Sequence, residues 1–296
     1  MRYRARPMTL ISDLIAAGPT RSLEFFPPRD AQGESLLAET LADLEPLGPS
    51  FASVTYGAGG STRDRTRDLV VDMNRRERFP TMAHLTCVGH TRAEITGLLD
   101  AYAAAGVQNI LALGGDPPVD GSDPAGDFRY AHELIAFIAD HPAEFCIGVA
   151  AHPEGHPRSP DLGEDRRRLA EKLADADFAI TQFFFGVEPY LRLMDDLAKL
   201  GCDRPLVPGV MPFVSAPGLV RMASMNGTHI PREIEARLET ASAEDVARIG
   251  VEVASVLSRD LIEAGAPGVH LYTLNRSASV RSVWAALGPP STAPTT

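Results

Sequence analysis

Short apolar, β-rich runs recur along the chain, separated by stretches in which apolar residues return at helical spacing. The runs Ser22–Phe25, Phe51–Thr55, Thr81–Leu85, Asn109–Leu113, Cys146–Ala151, Phe178–Phe183, Leu206–Val210 and Val269–Tyr272 read as buried strands. Thr91–Ala105, Tyr130–Asp140, Asp165–Ala174 and Pro189–Leu200 carry the helical period between them. Thr91 with Glu94 has the spacing of a capping box, and Gly106 and Gly201 stand where a helix ends on a left-handed residue. Strands alternating with helices throughout predict an α/β fold, a (β/α)8 barrel with additional helices, as a single domain over residues 1–296. A doubly wound open sheet has the same alternation, and strand number alone does not establish closure. Before the last strand the interval widens to hold Pro217–Asn226, Ile230–Leu238 and a long helix near Ala243–Ala264, which read as additions to the barrel. Residues 288–296, rich in Pro, Ser and Thr, read as a flexible tail.

Composition narrows the partners. The chain has 296 residues, of which 44% are hydrophobic, and a net charge of -11, without the basic stripe that nucleic acid requires. No segment reaches the roughly 18 apolar residues of a membrane span. Arg2, Arg4 and Arg6 ahead of Met8–Ala17 imitate a signal peptide, but Ser12 and Asp13 interrupt the apolar stretch, so residues 1–17 read as an amphipathic helix of a cytoplasmic protein. Cys87, Cys146 and Cys202 lie in or beside apolar segments and read as free thiols.

In a barrel of this kind the chemistry comes from the C-terminal ends of the strands and the loops that follow. Those positions here hold Glu24, Thr55 with Tyr56, His84, Asp116, His152, Gln182, and Tyr272 with Asn275 and Arg276. Glu24 lies in Ser22-Leu-Glu-Phe-Phe-Pro-Pro-Arg, where the prolines force the chain out of the sheet and leave an acid among aromatic rings. Poor solvation there is expected to raise its proton affinity toward the range of a general acid; a structural carboxylate held by backbone N–H groups is the alternative. The turns Gly57–Thr62 and Gly114–Pro118 let the backbone approach a flat ring or a phosphate, although neither has the spacing of a known phosphate loop. His152-Pro-Glu-Gly-His156, with His84 and Asp116, also admits a metal-dependent hydrolase, but the spacing matches no recognisable ligand set and no metal is assigned. Gln182, between Phe178-Ala-Ile-Thr and Phe183-Phe-Phe, is an amide in an apolar place that a ligand with amide-like edges would satisfy.

Eight stretches in order resemble the methylenetetrahydrofolate reductase family: the Glu24 motif, Val54-Thr-Tyr-Gly-Ala, Ala83-His-Leu-Thr-Cys, Leu111-Ala-Leu-Gly-Gly-Asp-Pro-Pro, Ala150-Ala-His-Pro-Glu-Gly-His-Pro, Ile180-Thr-Gln-Phe-Phe-Phe, Pro208-Gly-Val-Met-Pro and Leu271-Tyr-Thr-Leu-Asn-Arg. The resemblance implies a (β/α)8 barrel that reduces 5,10-methylenetetrahydrofolate to 5-methyltetrahydrofolate with NAD(P)H, NADH being favoured, and admits a homo-oligomer. It makes Glu24 the general acid, Asp116 the carboxylate beside the pterin, Gln182 the amide that meets pterin and nicotinamide, and Tyr272 and Arg276 further contacts to the reduced folate. It implies FAD as the default hydride relay, touching Thr55, Tyr56, Ala58, His84, Gly115, Asp116, Ala131, His152, His156, Ser159, Asp165 and Lys172. A folate-binding protein without catalysis is the remaining alternative.

Departures from that pattern bear on the flavin. The family's loop after the fourth strand usually reads Arg-Gly-Asp, whereas this chain has Gly114-Gly115-Asp116, and its usual Tyr before Pro-Glu is His152. Loss of one charge-assisted contact costs about 1.5 to 3 kcal/mol, roughly one to two decades of affinity. The expectation is therefore a flavin bound weakly or not at all, with direct transfer from nicotinamide as the other route. Glu24 has the same task in either case.

Overall fold

A computed structural model describes residues 9–57, 63–76, 79–115 and 126–289. The described strands are β1 (Thr20–Phe25), β2 (Phe51–Val54), β3 (Thr81–Thr86), β4 (Asn109–Leu113), β5 (Cys146–Ala151), β6 (Phe178–Thr181), β7 (Leu206–Val207), β8 (Gly209–Val210) and β9 (Gly268–Tyr272). All pairings are parallel, in the order β7-β6-β5-β4-β3-β2-β1-β9-β8. The predicted strand Leu206–Val210 is thus split at Pro208, which has no N–H to give a ladder. Its first half pairs with β6, its second half with β9, and the Pro208 carbonyl still accepts from His270 N at 2.9 Å. Counted across that proline, the strands return on themselves as a (β/α)8 barrel, and the open-sheet alternative falls.

The helices lie between the strands in sequence: α1 (Ile11–Ala17), α2 (Ala31–Leu44), α3 (Arg63–Arg75), α4 (Arg92–Ala104), α5 (Ala131–Ala139), α6 (Leu162–Ala174), α7 (Val187–Lys199), α8 (Ala216–Asn226), α9 (Arg232–Leu238), α10 (Ala243–Glu263) and α11 (Ser277–Ala286). The capping box forms as expected, Thr91 Oγ1 accepting from Glu94 N while a Glu94 carboxylate oxygen accepts from Thr91 N. Gly106 and Gly201 take φ of 74° and 75°. Only Thr66, Val70 and Met73 of the strongly charged α3 sequence are buried.

Phe51, Met82, Leu111, Phe178, Ile180 and Val207 fill the barrel interior, and α1 packs Ile11 and Ile15 against them. Gly148 makes room there, since a Cβ would meet the Phe178 ring at 2.8 Å and Leu111 at 3.0 Å. A second, larger cluster fills the space between strands and surrounding helices, and the additions α8, α9 and α10 close over Phe183, Met211 and Phe213. Of the expected N-terminal helix, Ile11–Ala17 is helical and residues 1–8 lie outside the described residues, as do residues 290–296 of the expected tail.

Asn109, at the start of β4, fastens α1 to the barrel: its Oδ1 accepts from Ile11 N at 2.9 Å and its Nδ2 donates to Thr9 O at 3.2 Å. Asn109→Ala should leave the buried Ile11 N–H without this acceptor and cost about 1–3 kcal/mol. A lowered thermal midpoint is expected; an unchanged midpoint would mean that α1 is held by packing alone.

Candidate active site

Because the strands are parallel, their C-terminal ends share one mouth, and two groups of polar side chains gather there. The first surrounds Glu24, next to last in β1 and paired in register with Ser53 and Tyr272. Ser53 Oγ donates to Glu24 Oε2 at 3.3 Å, and His270 Nε2 lies 3.4 Å from the same oxygen. His84 Nε2 is also 3.4 Å from it, near enough for charge attraction but without a hydrogen-bonding alignment. His270 is fully buried, stacked on Phe51 at 5.9 Å between ring centroids, and its Nδ1 meets Ser22 Oγ at 2.8 Å.

The expected upward shift of Glu24 is corrected by these neighbours. Burial does raise its proton affinity, but the imidazoles of His270 and His84 together outweigh burial and bring the pKa down to about 2. The aromatic residues adjacent in sequence suggested a solvent-poor acid, whereas the groups that set its charge come from β3 and β9. His84 accordingly sits inside β3, not at its end, and belongs to the Glu24 group.

The second group lines a cavity of about 800 Å3. Tyr56, Gly115, Ala131, His152, His156, Ser159, Asp165, Lys172 and Gln182 all line it, so sequence positions from four loops and two helices meet there. Thr55 is not among its lining residues; its backbone N–H donates to Phe25 O and its carbonyl accepts from Thr66 Oγ1. Ala58 and Asp116 lie outside the described residues. Gly115 takes φ +87°, and a Cβ there would stand 3.2 Å from the Cβ atoms of Thr86 and Val88. The turn is pressed against β3 in a way only glycine permits.

The Tyr56 hydroxyl lies 3.0 Å from His90 Nε2, and His90 Nδ1 lies 3.1 Å from Val88 O. A carbonyl can only accept, so Nδ1 carries the proton and Tyr56 donates to Nε2. Burial raises the Tyr56 pKa to about 12. His152, where the family pattern has Tyr, stands edge-on to His156 with centroids 4.6 Å apart. Burial first, then the positive side chains of His156, Lys172, Arg158 and Arg166, lower its pKa to about 3. It therefore presents a neutral flat ring at neutral pH, and the aromatic surface expected to be lost is partly kept.

The loop carrying both histidines is held from α6. Asp165 Oδ1 accepts from His156 N and Ser159 Oγ, each at 3.1 Å, and Arg166 donates to the carbonyls of His152 and Pro153 at 2.8 and 2.6 Å. Arg166 also pairs with Asp165 at 2.9 Å and approaches Asp196 at 3.5 Å. Arg166 is hard to single out from sequence: it stands in Arg166-Arg167-Arg168, a run that reads as solvated charge, yet it alone of the three is buried. Lys172 Nζ donates to Ala150 O at 3.0 Å; burial lowers its pKa and Asp165 opposes that shift. Arg158, on the same loop as the histidines, lines the cavity and donates to Gly115 O at 3.3 Å.

Gln182 Oε1 accepts from Phe183 N at 3.0 Å, leaving its NH2 group toward the cavity it lines. Tyr272 and Asn275 serve the barrel wall. The Tyr272 hydroxyl donates to Thr181 O at 2.8 Å, while Asn275 accepts from Phe26 N at 3.1 Å and donates to Phe26 O at 2.8 Å. Arg276 is exposed at the start of α11. Among the described residues, no three His, Cys, Asp or Glu side chains converge as a metal site, and Asp116 of the candidate ligand set lies outside them.

A family model for methylenetetrahydrofolate reductase matches residues 10–288. The 5,10-methylenetetrahydrofolate reductase of Pectobacterium carotovorum subsp. carotovorum is 35% identical over 259 residues, covering 86% of either chain. That of Escherichia coli (strain K12) is 34% identical over 270 residues, 90% of either chain. The probable methylenetetrahydrofolate reductase (NADH) of Oryza sativa subsp. japonica is 35% identical over 284 residues, 90% of this chain but 48% of the longer plant protein. Among solved structures, an uncharacterized protein from Clostridium thermocellum that binds two copies of 5-methyl-5,6,7,8-tetrahydrofolic acid has the same fold, with a TM-score of 0.64 and 17% identity over 94% of this chain and 97% of its own. With a barrel that carries the Glu24 group and the lined cavity at one mouth, and a family match along nearly its whole length, the chain belongs to the methylenetetrahydrofolate reductase family.

Proposed function

We propose that this enzyme reduces 5,10-methylenetetrahydrofolate to 5-methyltetrahydrofolate at the barrel mouth with hydride from NADH, and that Glu24 delivers the proton that opens the folate bridge. The observation that carries the proposal is a buried carboxylate held against two imidazoles: Glu24 Oε2 lies 3.4 Å from both His270 Nε2 and His84 Nε2, and Ser53 Oγ lies 3.3 Å from Glu24 Oε2 and 3.3 Å from His270 Nε2. These imidazoles hold Glu24 as the anion at rest, and imidazole is a group through which a neighbouring acid can exchange a proton. Entry of a folate excludes water and favours the neutral carboxylic acid, since burial is the largest influence on Glu24.

Opening the bridge places positive charge on the methylene carbon and its nitrogen, and hydride arrival at that carbon completes the reduction. Asp116 is assigned the role of holding this cation, and Gln182 presents its amide to the pterin and nicotinamide. Arg276, exposed at the start of α11, is assigned the anionic tail of the folate.

The cavity fits a flavin dinucleotide by the chemistry of its lining. The Gly115 turn admits close approach, Lys172 brings a cation for phosphate, and Tyr56 and His152 bring flat rings. Bound there, flavin would supply a two-electron relay between nicotinamide and folate. Ala131, His156, Ser159 and Asp165 complete the wall that would hold it, with Asp165 fixing the loop. Anaerobic rapid mixing with NADH tests the relay: bleaching of a flavin band before folate is added supports it. NADH oxidation only after methylenetetrahydrofolate is added, with no flavin band, would mean direct transfer to folate.

Glu24→Gln should fold and bind folate while losing about two decades or more of turnover, the scale of general acid catalysis; near-normal turnover would remove Glu24 from this role. The lowered pKa of Glu24 has a second consequence. Its stabilising contribution is complete above its ordinary value of 4.5 and is lost as pH falls toward about 2. Urea unfolding at about pH 5, 4 and 3 should therefore show the stability gap between wild type and Glu24→Gln narrowing with acid. A gap that stays constant would mean Glu24 is not held as an anion by its imidazoles.

A further inference from the structure

We infer that Arg158 supplies, from the loop after β5, the anion-binding cation that the family pattern places at the position of Gly114, and that its ligand is the phosphate portion of the dinucleotide cofactor. This rests on the flavin reading above. The Arg158 guanidinium donates to Gly115 O at 3.3 Å, so it stands over the very turn from which an arginine at position 114 would project, and both residues line the same cavity.

The other arginines of this region are engaged. Arg166 is buried between Asp165 and Asp196 while donating to two carbonyls, and Arg168 pairs with Glu164 and Glu171. Among the described residues, no carboxylate lies within ion-pairing distance of Arg158, and a guanidinium has five N–H donors of which the Gly115 carbonyl takes one. Asp165, an acid in the same wall, is already occupied by Arg166, Ser159 and the His156 N–H. Beside Lys172, whose charge Asp165 supports, Arg158 gives this wall of the cavity a guanidinium that no carboxylate among the described residues pairs. A planar fork suits phosphate oxygens, and its charge acts over several ångströms, so it can be relocated from one rim of a cavity to the other.

The exchange is testable because Gly114 can accept a side chain. A Cβ there meets nothing within 4 Å and the backbone is not in the left-handed region, in contrast to Gly115. Flavin-depleted full-length protein is titrated with FAD, following flavin fluorescence, at low and high salt. Arg158→Ala should weaken FAD binding about tenfold to a hundredfold and reduce its salt dependence. Adding Gly114→Arg to that variant should recover most of the loss. Circular dichroism of both variants should match wild type, since Arg158 is exposed. Wild-type FAD binding with Arg158→Ala unchanged, or weakened with the same salt dependence, would overturn the inference while leaving the flavin reading in place. Failure of Gly114→Arg to rescue would overturn the exchange of positions. Absence of FAD binding in wild type would overturn the flavin reading and the inference with it.

Discussion

The mouth of this barrel depends on five residues, Leu206 to Val210, serving two neighbouring strands at once. Pro208 interrupts the ladder where it would otherwise favour one partner, and its carbonyl joins the β9 side through His270 N. Gly209 follows, with its N–H on Thr181 Oγ1 at 2.9 Å, and a side chain there would run into the Thr181 carbonyl. The Tyr272 hydroxyl donates to that same carbonyl. Closure thus ties β6, which leads into Gln182, to β9, which carries His270, and β9 is the register partner of the strand holding Glu24. The placement of the acid and its imidazole relative to the amide is thus a result of the closure.

Within that frame, charge is handled by sharing. Glu24 is too buried to remain an anion unaided, and two imidazoles offset the cost. Asp165 is held by Arg166 and two hydrogen bonds, which in turn fix the His152–Ser159 loop. Both acids are therefore structural and electrostatic elements together: each is bound by its neighbours, and each keeps those neighbours in place. The difference lies in the partner. Arg166 cannot give up its proton, so Asp165 is locked; the partners of Glu24 are imidazoles, a class of group that exchanges protons.

Much of this was legible from the chain. Strand positions followed from short apolar runs ended by Gly, Pro or polar residues, and β4 and β5 have the expected bounds. Most candidate residues at strand ends do reach the mouth, because parallel strands put their ends on one side whatever the loop sequences are. The environment of each side chain was not legible. Glu24 looked apolar from Leu23, Phe25 and Phe26, but strand neighbours in space are His270 and Ser53, far away in sequence. The bonds by which Asn275 and Tyr272 close the wall, to Phe26 and to Thr181, reach residues far away in sequence. Arg166 was hidden in a run of like residues, since sequence does not say which face of a charged helix turns inward.

The same limit explains how a departure at one position can be misjudged. Gly114, taken alone, is a lost cation, since a motif compares each residue only with residues at its own position. A ligand responds to the field in the cavity, which sums over every charged group within reach and falls slowly with distance. Hydrogen-bond geometry is less forgiving, and this divides the site into two kinds of residue. Gly115, held by its φ of +87° and the Thr86 and Val88 contacts, cannot be replaced from elsewhere. A cation can be, provided that another loop brings one to the same rim without a carboxylate to consume it, and the loop carrying Arg158 meets that condition among the described residues.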